Sequence, residues 1–245
     1  MLAVTLGACA RATAGGHPEA GPAHGRELRG TVTDDVGMPL EGAELFVGRS
    51  VPLVRTGAAG TFVVHTSQQG LLVLGARQLA YRPAMDVVRV SAGGGPTELA
   101  FVLAPVEFKG DSAQWVRASG ATLGTEVAAM QARFSSGAGS VFTWREIEAR
   151  QVQFLSQLLE GGVPGLSVRR SRTGVGRVTN TRMASPCQPL VVVDGVAWRN
   201  GGNLDDLPPQ IVQTIEVYRG GSTAPMKLGF DTACGAIVIT TRTGR

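Results

Sequence analysis

The residues best suited to chemistry in this chain are two cysteines in its C-terminal part, Cys187 and Cys234. Each comes just before an apolar stretch that predicts a strand, Leu190–Val193 and Ala236–Thr241. We expect both strands in one small sheet, so the cysteines enter it at equivalent places and can meet. A zinc site needs four ligands, and no histidine lies near either cysteine. The sequence therefore predicts a disulfide, with two buried free thiols as the alternative.

Side chains for nucleophilic or acid–base catalysis are scarce, because such chemistry needs a nucleophile with a base in reach. Two of the three histidines precede residue 26, and the third, His65, lies in a predicted strand. Asp194 precedes a glycine in a predicted hairpin turn. Asp205 and Asp206 stand before two prolines, where helix capping explains them. The sequence predicts no catalytic residue, no metal ligand and no cofactor, and an enzyme is the least favoured class of protein.

A cluster of arginines flanks a glycine-rich turn in the C-terminal half. Its members are Arg169, Arg170, Arg172, Arg177 and Arg182. The net charge of the chain is +4, and residues 141–245 hold twelve basic and eight acidic side chains, so the excess lies in this half. The cluster predicts either a solvated charged face or a site that binds an acidic partner or an anionic glycan in a salt-dependent way. Nearly all basic residues are arginine, as in GC-rich coding sequences, and nucleic-acid binding is not predicted.

Residues 1–25 predict the remnant of an export signal followed by a flexible tether. Leu6-Gly7-Ala8-Cys9 resembles the lipobox of bacterial lipoproteins, in which the cysteine is acylated after cleavage. The basic region of a signal is missing and the apolar stretch is short, so either the start codon is placed too late or the resemblance is accidental. Export and lipid attachment at Cys9 are the prediction.

The elements that would position these residues begin with a series of short strands in residues 26–105. The strands are predicted at Leu28–Thr33, Ala43–Val47, Leu53–Thr56, Phe62–Thr66, Leu71–Ala76, Val87–Ser91 and Leu99–Leu103. Turn residues separate them, and no helical period occurs between them. Seven strands in a segment of this length predict a small β-sandwich.

This first segment resembles the carboxypeptidase regulatory-like domain. Gly30–Ala43 is similar to the opening motif of that family and Thr56–Phe62 to its second, and Tyr81 stands where the family usually has Gly-Tyr. The segment departs at Gly57, where Asp is usual, and at Ala80, where Gly is usual. The resemblance implies a transthyretin-like sandwich that accompanies other domains and is not itself catalytic.

Residues 106–140 are rich in Gly, Ala and Ser and predict a linker with one short helix near Thr125–Arg133. Its apolar side chains Phe108, Trp115 and Phe134 are expected to dock on a neighbouring domain. With the sandwich before it and a second domain after it, the segment predicts two separately folding units.

Residues 141–245 predict an α+β domain with a mixed sheet. Thr143 and Glu146 have the spacing of a capping box, and Gly161-Gly162 can end the helix that follows. One apolar face is predicted for this helix, made of Ile147, Phe154, Leu155, Leu158 and Leu159. Strands are predicted at Leu166–Arg170, Val178–Arg182, Leu190–Val193, Val196–Trp198, Thr214–Tyr218 and Ala236–Thr241, with short helical pieces at Pro208–Val212 and Ser222–Leu228.

Motifs in this second domain resemble the plug domain of TonB-dependent receptors. They are Phe154–Leu159, Val163–Val168, Val191–Val196, Ile215–Gly220 and Gly235–Arg242, in the order in which that family has them. Plug domains fill the lumen of outer-membrane barrels that import iron chelates, cobalamin or glycans. Such a barrel has about 22 strands and follows the plug, whereas this chain ends at Arg245 and has no clear TonB-interaction box. The resemblance therefore implies a plug-like domain without its barrel.

The expected function is that of a non-enzymatic binding or adaptor protein on the periplasmic side of the outer membrane. An outer-membrane or periplasmic protein, or an anionic glycan, is the expected partner. The alternative is the truncated N-terminal part of a full TonB-dependent transporter for iron chelates or glycans.

Overall fold

The computed structural model describes two domains that are joined through a long helix. It describes residues 26–91, 95–106, 112–137, 139–170, 176–198, 203–220, 224 and 232–242. Cys9 and Arg172 lie outside these residues, as does nearly all of the helical piece predicted at Ser222–Leu228.

The N-terminal domain is a β-sandwich of seven strands. They are β1 (Arg26–Asp34), β2 (Glu44–Val47), β3 (Pro52–Arg55), β4 (Thr61–Thr66), β5 (Gly70–Arg77), β6 (Ala84–Val90) and β7 (Thr97–Leu103). One sheet has the order β4-β1-β7 and the other the order β3-β2-β5-β6. Apolar side chains from both sheets form one buried core between them. All seven predicted strands, and the sandwich they imply, are confirmed.

The segment that was expected to be a linker contains a 24-residue helix, α1 (Ser112–Ser135). The short helix predicted near Thr125–Arg133 is thus only its C-terminal part. Its Leu123, Val127 and Met130 pack on the outer face of the second sandwich sheet, in a cluster that also holds the side chain of Phe134. Phe134 therefore docks as predicted, whereas Phe108 and the side chain of Trp115 are outside the described part of the chain.

Close packing of α1 on the sandwich depends on a glycine. A Cβ atom on Gly124 would lie 2.2 Å from the carbonyl oxygen of Ser50 and 3.2 Å from the ring of Phe46. The helix and the sandwich therefore meet at a separation that no larger residue allows at this position.

Of the helices that the structure describes, none has both the length and the apolar character needed to cross a membrane.

The C-terminal domain has the predicted α+β architecture with a mixed sheet. Its strands are β8 (Ser140–Thr143), β9 (Leu166–Arg170), β10 (Gly176–Asn180), β11 (Leu190–Val193), β12 (Val196–Trp198), β13 (Val212–Tyr218) and β14 (Ala236–Thr241). The main sheet has the order β12-β11-β14-β13-β8, and β9 and β10 form a separate hairpin. Strands β11 and β14 are parallel, and the other pairs are antiparallel. The edge strand β8 was not predicted, and β10 begins and ends two residues before the predicted strand.

The single helix expected after Thr143 is broken into two, which corrects that prediction. The capping box forms, since the Thr143 amide donates to Glu146 Oε2 at 2.9 Å, but α2 (Trp144–Ala149) has only six residues. The backbone of Gln151 then takes a φ of 48°, a left-handed conformation that ends a helix. A second short helix, α3 (Ser156–Leu159), follows. The break leaves Phe154 41% exposed instead of on a buried face.

The aspartate pair does not cap the helical turn that follows it, since Pro209–Ile211 has no side-chain cap, and Asp205 instead binds the start of a distant helix. Its carboxylate accepts from the Ser156 amide and from the Ser156 hydroxyl, both at 2.9 Å, at the start of α3. The helical piece predicted at Pro208–Val212 is a single 3-10 turn, Pro209–Ile211. Asp205 thus ties α3 to the loop before β13 across 49 residues of sequence.

Candidate partner face and the seam between the domains

The predicted arginine cluster lies on the β9–β10 hairpin, and the structure brings two of its members together. Arg169 and Arg177 face each other directly across the antiparallel ladder, and both side chains are exposed. The neighbouring pair Val168 and Val178 points to the other side, towards the core of the C-terminal domain. Within the described residues, neither arginine forms an ion pair.

Among the other members of the cluster, Arg182 has a described side chain. Arg182 follows the end of β10 and packs on Gly165, where an added Cβ would lie 2.6 Å from its side chain. Gly165 precedes β9, so Arg182 lies at the opposite end of the hairpin from the glycine-rich turn. Arg172 and the side chain of Arg170 are outside the described part. The structure thus brings Arg169 and Arg177 together and places Arg182 at the other end of the hairpin, and a site of all five arginines stays a prediction.

The disulfide between Cys187 and Cys234 is present, as predicted. The two Cα atoms are 5.9 Å apart, and the cysteines precede β11 and β14, which are neighbours in the main sheet. Asn180, fully buried beside the bridge, donates from its amide to the carbonyl oxygens of Cys234 at 2.9 Å and Arg219 at 2.8 Å. This role of Asn180 could not be predicted from the sequence, because a single asparagine at the end of a strand does not form a recognisable motif.

Asp194 has the turn role that the sequence predicted. It and Gly195 take positive φ values of 48° and 82°, as a type I′ turn between β11 and β12 requires. The Asp194 carboxylate also accepts from the amide of Thr241 at 2.8 Å and from its hydroxyl at 2.6 Å. These bonds hold the hairpin against β14.

The two domains meet along a polar contact that sequence reasoning missed. We call this contact the seam. On the side of the sandwich and α1 it consists of Asp86, Arg89 and Arg133. On the side of the C-terminal domain it consists of Trp144, Arg145, Glu146, Gln213 and Glu216. At its centre the buried Asp86 carboxylate accepts from Trp144 Nε1, Arg145 Nη1 and Gln213 Nε2, each at 2.8 Å. The guanidinium groups of Arg145 and Arg242 lie 4.2 and 4.4 Å from the Trp144 ring, which adds cation–π contacts.

The seam extends in both directions from Asp86. Arg89 donates to Glu146 Oε1 at 2.6 Å. On α1, Arg133 contacts Glu216 at 3.3 Å, and Tyr218 donates a short hydrogen bond to the same buried carboxylate. The pKa of Tyr218 is raised well above its usual 10.0, and burial is the largest cause. The negative charge of Glu216 is the second cause.

Side chains along β13 alternate between the core of the C-terminal domain and the opposite face of the sheet. Ile215 and Val217 point into the core of the C-terminal domain. Thr214, Glu216 and Tyr218 fall on the opposite face and are nevertheless buried. The face that would otherwise be exposed to solvent is therefore covered by α1 and β6.

Stability at low pH is expected to depend on Glu146. Burial favours its neutral form, but the hydrogen bonds from Arg89 and Thr143 outweigh burial and hold the pKa of Glu146 below its usual 4.5. A carboxyl group whose pKa is lower in the folded than in the unfolded protein stabilises the fold above pH 4.5. This stabilisation is lost as the pH falls through the pKa of the folded protein. Urea midpoints measured across this range should therefore fall less steeply with acid in Glu146→Gln. Glu148→Gln, exposed on the same helix, is the control, and an equal slope in both variants would contradict the assignment.

Metal chemistry finds no support in the described ranges, where no group of three or more His, Cys, Asp or Glu side chains could hold an ion. Asp205 and Asp194 are occupied by the helix and turn contacts described above. Two features of the described residues remain as candidates for function. One is the exposed pair of Arg169 and Arg177, and the other is the buried polar seam.

Comparison with known families finds a match for most of the second domain. Residues 131–231 match the family model described as the TonB-dependent Receptor Plug Domain. The matched segment begins at the end of α1 and runs beyond β13. This segment of the chain is thus similar to plug domains, which belong to outer-membrane proteins. No curated protein matches the chain.

Solved structures with similarity to the chain include three siderophore-related receptors. A ferric enterobactin receptor mutant from Pseudomonas aeruginosa, in complex with enterobactin, is 22% identical over 44% of this chain and 18% of its own, with a TM-score of 0.35. The siderophore receptor PirA from Acinetobacter baumannii is 24% identical over 46% and 19%, with a TM-score of 0.36. PirA from Pseudomonas aeruginosa is 28% identical over 44% and 19%, with a TM-score of 0.33. The chain therefore spans less than a fifth of the length of these receptors.

Proposed function

We propose that this chain is a non-enzymatic binding module of the cell envelope, which acts on the periplasmic side of the outer membrane. The observation that supports it is the plug-family match over residues 131–231. The sandwich, which resembles a carboxypeptidase regulatory-like domain, is the accompanying domain, and Cys9 is the proposed site of lipid attachment. No arrangement of described side chains argues for catalysis.

The proposed partner surface is the pair of Arg169 and Arg177. Like charges directly opposite each other destabilise a strand pair, because their repulsion has no compensating contact. A carboxylate of an outer-membrane or periplasmic protein, or of an anionic glycan, would remove that cost. Because both side chains are exposed, such a partner can approach without rearrangement of the hairpin. The attraction is expected to be screened beyond about 8 Å at physiological ionic strength.

Photocross-linking in intact cells tests this function directly. A photoreactive residue at Thr179, which lies beside the arginine pair on the same face of the hairpin, should give adducts with outer-membrane or periplasmic material. The double change Arg169→Ala with Arg177→Ala is expected to reduce these adducts at least tenfold, and added salt should reduce them in the parent.

The matched control is Arg49→Ala with Arg82→Ala, which removes the same charge from exposed positions on the sandwich. Adduct yields that fall equally in both double variants would show a general charge effect and contradict the proposed surface. Adducts formed with cytoplasmic proteins alone would contradict the envelope function itself.

A full TonB-dependent transporter, of which this chain would be the N-terminal part, is the second candidate. The same plug match favours it. Reading the DNA downstream of the codon for Arg245 separates the two. An open frame of alternating strands favours the transporter, and an unrelated gene favours the separate module.

A further inference from the structure

A cavity of 270 Å³ lies along the seam, between the sandwich, α1 and the C-terminal domain. Its walls come from β6, β7, α1, β13 and β14, so neither domain forms it alone. Domain interfaces are where small-molecule sites preferentially occur. The volume is just below the range of about 300–1,000 Å³ for drug-sized ligands, and above an engineered cavity of about 150 Å³ that binds benzene.

One polar group in the wall is buried and has no hydrogen-bond partner among the described residues. Thr214 is 1% exposed, and its hydroxyl oxygen makes no hydrogen bond to any described residue. A buried hydroxyl usually has a partner, because leaving it without one costs stability. Thr214 lies on the face of β13 that is turned away from the core of its own domain, and it lines the cavity. The oxygen itself is shielded in this side-chain rotamer, and a rotation of Thr214 about χ1 would present it to a molecule in the cavity.

The remaining wall indicates what kind of molecule would fit. Leu123, Met130 and Val87 supply an apolar surface. Asp86 already accepts from Trp144, Arg145 and Gln213, so its charge is compensated. Arg242 lies over the ring of Trp144 and donates to the carbonyl oxygen of Val212 at 3.2 Å.

The charges in the wall leave little attraction for a charged ligand. Glu126 also lines the cavity, but its side chain is exposed and keeps its hydration. A charged ligand would lose hydration in the buried part without gaining a free countercharge there.

We propose that the seam cavity binds a small neutral molecule with an apolar body and one hydroxyl or amide group, which hydrogen-bonds to Thr214. Both domains contribute to the wall, so an occupant stabilises their contact by binding only the assembled form. The site is separate from the arginine pair of the proposed function.

Nuclear magnetic resonance on the full chain tests the site with cyclohexanol as the probe. Titration should shift the signals of the Trp144 indole and of the Gln213 and Thr214 amides in a saturable way. Thr214→Val keeps the shape but removes the hydroxyl, and it is expected to weaken binding at least tenfold. Thr214→Ser keeps a hydroxyl and should retain binding. Thr179→Val, on the outer face of β10, is the control and should change nothing.

Charged analogues define the ligand class. Cyclohexylammonium and cyclohexanecarboxylate should bind at least tenfold more weakly than cyclohexanol. Binding that is equal in Thr214→Val and the parent, or tighter for a charged analogue, would overturn the proposal. So would the absence of saturable shifts up to the solubility limit of cyclohexanol, which would mean that water alone serves Thr214.

Discussion

Replacement of Asp86 with alanine is expected to destabilise the protein by about 3 kcal/mol, because removing one partner from a buried charged network leaves the others uncompensated. Three donors from the C-terminal domain converge on this carboxylate, from Trp144, Arg145 and Gln213. The alanine variant would leave the Arg145 guanidinium, over the Trp144 ring, without an ion-pair partner among the described residues. For a chain of this size the loss corresponds to a fall of about 6–12 °C in the melting temperature.

Urea unfolding followed by circular dichroism measures this effect. Asp86→Asn keeps one carbonyl oxygen for Trp144 and Gln213 but loses the charge opposite Arg145, so an intermediate loss of about 1–2 kcal/mol is expected. Glu98→Ala is the matched control, since Glu98 pairs with Arg29 at 2.5 Å with its side chain 65% exposed. Such a surface pair contributes about 0–1 kcal/mol. An Asp86→Ala loss no larger than that of Glu98→Ala would show that the seam does not hold the domains together.

The strands were predictable because the signals that define them are local. Turn residues separate the seven stretches of the sandwich, and the alternation in Thr61–Thr66 appears in the structure as alternate exposed and buried side chains. The hairpin at Asp194-Gly195 is predictable for the same reason, since two adjacent residues must take positive φ. The regulatory-like family of the sandwich stays a prediction.

The helices were harder to predict, because the decisive interactions are tertiary. Residues 106–140 resemble a linker in composition, and the glycine at position 124 argues against a helix on propensity alone. That glycine instead lies where α1 packs closely against the backbone of Ser50 in the sandwich. The break after α2 occurs at Gln151, without a proline or glycine to mark it. Contacts with distant chain, such as Asp205 with Ser156, decide where α3 begins.

The seam was unpredictable for a similar reason, although part of it left a trace in the sequence. Asp86 is a charged residue within the apolar strand Ala84–Val90, and such a residue needs a buried partner. The identity of that partner is not local, since Gln213 is 127 residues away. For the arginine cluster, proximity in sequence does not fix proximity in space: the hairpin brings Arg169 and Arg177 together and places Arg182 at its other end.

The disulfide is the second feature on which a large share of stability is expected to depend. Cys187 and Cys234 are 47 residues apart in sequence, and the bridge links the entries of β11 and β14. Closing a loop of this length removes roughly 4 kcal/mol of unfolded-state entropy in the chain-entropy model. The total stability of a domain is about 5–15 kcal/mol. The bond also requires an oxidising compartment, which agrees with the predicted export.

We therefore expect reduction, or the double change Cys187→Ser with Cys234→Ser, to lower the free energy of unfolding by roughly 4 kcal/mol while the native sheet persists. The sheet should persist because the bonds from Asn180 and the β11–β14 ladder remain. Urea midpoints with and without reductant measure the loss, and Cys9→Ser alone is the control, since it removes the third cysteine without touching the bridge. Intact-mass analysis should show a gain of two hydrogen atoms on reduction. Equal midpoints in the two conditions, or labelling of both thiols in native oxidised protein, would contradict a stabilising disulfide.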